Sequence, residues 1–178
     1  MNTYFARHTY ILDVDDATRA HLWNNGLVAI HFPDHLTGGI RDQDNESLDP
    51  QDYPPNKARA VRALVRLANE GGYVCAQHEG HDEHLLGRVA PGTQIYLLRG
   101  GWGRANGLEG RQAVLKAVKM TDVQMVDPRR HPHLAQAFAN RPRRGTLQRW
   151  WQDGGEVRSL VEQERGRVGT TASGVHST

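Results

Sequence analysis

A single cysteine, Cys75, in a chain of 178 residues leaves no partner for an intramolecular disulfide and excludes every zinc site built on two thiolates. No stretch approaches the roughly 18 apolar residues of a membrane-spanning helix, and the polar N-terminus lacks the charged-then-apolar layout of a secretory signal. These absences lead us to expect a cytoplasmic protein with no membrane partner. Lysine is almost missing too: Lys57, Lys116 and Lys119 are the only three, so 19 of the 22 basic residues are arginine. Metalloprotease HExxH, a Walker loop, a GxSxG elbow and a dinucleotide GxGxxG after a strand are all absent. No cofactor is expected.

What is there is an uneven charge. Net charge is +2, yet residues 1–128 hold 13 Lys/Arg against 16 Asp/Glu while 129–178 hold 9 against 4. From Arg129 to Trp150 there are six arginines and no acid. Guanidinium is a planar fork that matches phosphate and stacks on bases, so the basic third points to an anionic partner. A genome biased toward arginine, filling ordinary solvated positions, accounts for the same count.

The length suits one compact domain. Tyr4 to Leu12 reads as a strand. Asp13, Asp15 and Asp16 supply N-cap and first-turn acids to a helix through Trp23, which Asn25-Gly26 stops. Leu27 to Phe32 reads as a buried strand, and residues 33–55, rich in Asp, Asn, Gly and Pro, as a long loop. Asp42, Asp44 and Glu46 in that loop have calcium-loop spacing, but Ser47 and Tyr53 replace the glycine and glutamate such a loop requires. Pro54-Pro55 opens an amphipathic helix with Ala58, Val61, Leu64, Val65 and Ala68 on one face and Arg59, Arg62 and Arg66 on the other. That arginine row has the placement to follow a phosphate backbone, although a solvated face is the plainer reading. Short strands follow at 73–77, 85–89, 93–98, 114–120 and 123–126, then a helix at 131–140, a strand or turn at 145–150 and a helix at 156–164. The expected fold class is α+β: a small curved sheet or barrel flanked by three to four helices over residues 1–165, with 166–178 a disordered tail.

His78, His81 and His84 form the densest set of potential metal ligands, and three imidazoles can hold zinc with an open position for water. They fall in a hairpin loop, whose geometry does not put all three on one face, so no metal site is assigned. A metal-dependent hydrolase or phosphodiesterase using them remains an alternative. Cys75 lies within an apolar strand, where an inert thiol is the rule. Two segments combine arginine with tryptophan: Arg99, Trp102 and Arg104 after a strand, and Arg141, Arg143, Arg144, Arg149, Trp150 and Trp151 further on. Indole stacks on bases while guanidinium holds phosphate, which is what a nucleic-acid pocket requires. Either Trp150 or Trp151 equally suits an anchor for the last helix.

The order of a helix ending in Trp23, then Gly-Leu-Val-Ala-Ile-His (26–31), then Leu-Leu-Gly-Arg-Val-Ala-Pro-Gly-Thr-Gln-Ile (85–95) resembles the PUA-like superfamily, in particular EVE and YTH-like domains. It departs from that pattern at Pro91-Gly92-Thr93, where an aspartate would follow the glycine. The resemblance implies a compact barrel with a base drawn into an aromatic pocket, here lined by Trp23, Trp102 and His31. The leading expectation is therefore a nucleic-acid-binding domain that senses a modified base, with Arg99, Arg104, Arg143, Arg144 and Arg149 on phosphates. DNA and RNA stay open, and such a reader needs a separate effector protein. A regulatory subunit whose arginines meet an acidic protein is the other alternative.

Overall fold

The computed structural model describes residues 1–32, 36–37, 40–41, 45–101, 112–151 and 154–172. Asn2–His8 forms β1, whose even positions Tyr4 and Ala6 face one core cluster and whose odd Phe5 faces another, as a period of two demands. One turn of 3-10 helix follows at Tyr10–Leu12. Asp16–Asn25 forms α1: the Asp15 side chain accepts from Thr18 N–H at its start, and Gly26, left-handed at φ 59°, closes its end. Leu27–Ile30 is β2, and Leu36–Thr37 and Ile40–Arg41 make a small ribbon, β3 and β4. Pro55–Glu70 is α2, buried on Ala58, Val61, Leu64, Leu67 and Ala68.

β5 (Gly72–His78), β6 (His84–Val89), β7 (Tyr96–Gly101), β8 (Gln112–Lys119) and β9 (Thr121–Val126) follow. Pro132–Ala137 is α3, Leu147–Arg149 is β10 and Gly155–Ala172 is α4. The last helix thus continues past Glu164, through part of the segment expected to be a tail, and residues 173–178 lie outside the described ones.

The strands make a five-stranded sheet in the order β10-β1-β5-β6-β9, a three-stranded sheet in the order β2-β8-β7, and the β3-β4 ribbon. β1 runs parallel to β5 in register from Asn2 opposite Gly72 to His8 opposite His78, and the other pairs are antiparallel. The α+β class with four helices is as the sequence implies, but among the described residues no barrel closes. Among those residues the edge strands β10 and β9 pair neither with each other nor with the second sheet, so no ladder joins the two sheets into a ring. The largest core cluster joins β1, β5 and β6 to β2, β8 and α2. A second, with Phe5, Cys75, Phe138 and Trp150, lies on the opposite face under α3 and α4. A third packs α1 on the outer face of the small sheet.

Candidate functional site: an arginine groove between α2 and β10

Strand alternation decides the fate of the two adjacent tryptophans. Trp150 is 3% exposed and meets Phe5 edge-on at 5.6 Å, so it is the core anchor. Trp151 turns the other way and is 75% exposed. Arg149, two residues earlier and therefore on the same side, lays its guanidinium 3.5 Å from the centre of the Trp151 ring. Beside them passes the polar face of α2. Arg59, Arg62 and Arg66 line one groove together with Tyr4, Ala63, Leu147, Gln148, Arg149 and Trp151, with a volume of about 360 Å³.

Among the described residues no carboxylate lines this groove. Arg66 has Glu70 at 3.7 Å, one helical turn on, and both are more than half exposed, so water screens the pair. Among the described residues Arg59 and Arg62 make no ion pair, and both are exposed. On the floor, burial pushes the Tyr4 phenol up. Its hydroxyl makes no hydrogen bond of ordinary geometry, though the Asn2 side chain acts against the shift. The arrangement offers four guanidinium groups and an exposed indole at one concave site.

Of the residues that the sequence assigns to base or phosphate, Arg149 alone among the described ones lines the groove. Arg143 and Arg144 are exposed on the approach to β10. That approach is tied to β1 by Arg7, whose guanidinium donates to the Pro142 and Arg143 carbonyls at 2.5 Å. Arg99 sits on β7 in the other sheet, away from the groove, and pairs with Glu46 at 2.8 Å. Trp102 and Arg104 lie outside the described residues, as do Asp42 and Asp44. Trp23 stacks on His81, ring centres 3.6 Å apart and 11° from parallel. His31 is 2% exposed, and burial together with the Lys116 and Lys57 charges brings its imidazole down to about 4. The two lysines gather at the neighbouring Phe32, each Nζ 5.9 Å from the ring centre, and Lys116 Nζ donates to the Asn45 carbonyl.

The histidine triple divides. His78 ends β5 on the face that carries Val74 and Ala76, while His84 begins β6 opposite Gln77 and packs edge-on against Phe138, 4.8 Å away on the other face. A sheet therefore separates two of the three, and they do not converge on one ion. The partner of His78 is one the sequence does not reveal. His8 Nδ1 lies 2.9 Å from His78 Nε2, and His8 Nε2 reaches the Ala29 backbone of the second sheet. Burial holds both imidazoles well below their ordinary range. They form a neutral junction where the two sheets meet.

No family model matches the chain, and no solved structure matches it. Cell adhesion molecule 4 of Rattus norvegicus and of Mus musculus are each 24% identical over 165 residues, covering 88% of this chain and 36% of theirs. The chain thus spans about a third of the length of the curated relatives it matches. An identity of that size assigns it to no family. No helix among the described residues is long and apolar enough to cross a membrane.

Proposed function

We propose that this protein binds nucleic acid, and that the groove between α2 and β10 is where it does so. The observation that carries the proposal is the convergence of Arg59, Arg62, Arg66 and Arg149 with an exposed, guanidinium-stacked Trp151 in one groove whose described lining holds no carboxylate. Four guanidinium groups, of which only Arg66 has a carboxylate beside it among the described residues, the screened Glu70, attract a polyanion, and arginine forks match phosphate oxygens. The groove also brings the arginine face of α2 to the end of the basic segment, at Arg149 and Trp151. A pocket lined by Trp23, Trp102 and His31, as the PUA-like resemblance implies, is less favoured. Trp23 is already stacked and His31 is buried.

Electrophoretic mobility shift of mixed-sequence nucleic acid at 50 mM and 200 mM salt tests the proposal. Binding at low salt that weakens steeply at high salt, and at least about tenfold on Arg62→Glu, is the expected result, because an arginine that leaves its phosphate no longer releases a counterion. Absence of binding at 50 mM, or full binding by the Arg62→Glu protein, overturns it.

A further inference from the structure

The groove is built for one kind of nucleic acid. We infer that its occupant is a single strand, with one unpaired base stacked on the Trp151 indole and the following phosphates held by Arg59 and Arg62 on α2. This inference rests on the groove being the nucleic-acid surface and adds the form of nucleic acid it takes.

Three features point the same way. First, Trp151 offers an exposed ring rather than an edge, and a base can stack on it only when it is free of its own neighbours in a duplex. Secondly, the site is concave. Duplex reading needs a protruding helix or ribbon that enters a major groove about 12 Å wide. Here α2 presents its arginines as a wall of a groove whose floor is Tyr4, and the indole stands beside them. Thirdly, Arg59, Arg62 and Arg66 run along one face of α2 over about 10 Å at 1.5 Å per residue, a span suited to a few successive phosphates of one strand. Arg149 covers one face of the indole, so the base takes the other face or displaces the guanidinium onto its phosphate. Both DNA and RNA supply this chemistry.

Fluorescence anisotropy with a labelled 12-nucleotide single strand, as DNA and as RNA, against the duplex of the same sequence tests the inference. The single strand should bind about tenfold or more tighter than the duplex. Trp151→Ala should weaken single-strand binding about 5- to 150-fold, the range for one stacked base, yet change little with an oligonucleotide made wholly of abasic sites. Arg59→Ala with Arg62→Ala should weaken the intact and the abasic strands alike and reduce the salt slope by roughly 1.4. A preference of the DNA or the RNA strand identifies the source. Equal affinity for strand and duplex, or unchanged affinity in Trp151→Ala, overturns the inference and leaves the broader binding proposal standing. No binding to any of the nucleic acids at low salt, or equal binding to a polyglutamate peptide, overturns both.

Discussion

Acid should destabilise this protein well before its carboxylates titrate, and the histidines set the size of the effect. His31 and His84 are both buried, at 2% and 8% exposure, and burial lowers each imidazole from an ordinary 6.5 to about 4. The folded protein thus holds them neutral, while the unfolded chain takes up protons as soon as the pH falls below the ordinary value. Stability from these two groups is complete above about pH 6.5 and drains away toward pH 4. At pH 5 the linkage amounts to about 2 kcal/mol for each, so about 4 kcal/mol together. That is a large share of the roughly 5–15 kcal/mol that holds a domain together. The His8–His78 pair has the same sign and deepens the loss. Asp13, whose carboxyl burial pushes up, has the opposite sign, so the comparison stops at pH 5, above the ordinary carboxylate range of about 4. Urea unfolding followed by far-ultraviolet circular dichroism at pH 7.5, 6 and 5 measures it. His84→Phe, which keeps an aromatic ring against Phe138, should remove about 2 kcal/mol of the pH dependence. Stability unchanged from pH 7.5 to 5, or a His84→Phe protein with the wild-type pH dependence, would refute the reasoning.

Two further outcomes can be checked by the same unfolding assay. Trp150→Ala should cost about 3–5 kcal/mol, because the indole fills the core between Phe5 and Phe138, whereas Trp151→Ala should stay within about 0.5 kcal/mol. A larger cost for Trp151→Ala would mean that the alternation had been assigned backwards, and equal costs that it does not separate the two. At Gly101 an added Cβ would stand 1.8 Å from the Asp15 Oδ2 atom, so Gly101→Ala must displace the cap of α1. The expected loss is about 1 kcal/mol or more, with faster hydrogen exchange in the first turn of α1; unchanged exchange there would show that the cap survives.

Local physics made much of the fold legible. The apolar face of α2, its proline start and the Asp15 and Gly26 caps of α1 all follow from propensity and period, and the structure has them where the sequence implies. The single cysteine, inside an apolar run, becomes a buried thiol that burial pushes up, as its surroundings in the sequence suggest. The expected strand at 93–98 begins later, at Tyr96, because Thr93 is held in a turn by the Ala90 carbonyl.

The sequence by itself determined the helices, the caps of α1 and the excess of arginine, and it offered both Trp150 and Trp151 as anchors for the last helix. It did not determine which of the two would be buried, because a period of two fixes alternation and not side. Only the tertiary structure decided that, by pairing β10 with β1 so that Leu147 and Arg149 lie against α2. The same kind of long-range pairing, β1 alongside β5, brought His8 to His78 across 70 residues of chain. Registers between distant strands are set by the mutual burial of faces from several elements at once, which no local pattern encodes. For that reason the arginines were visible as a composition, and the groove they form was not.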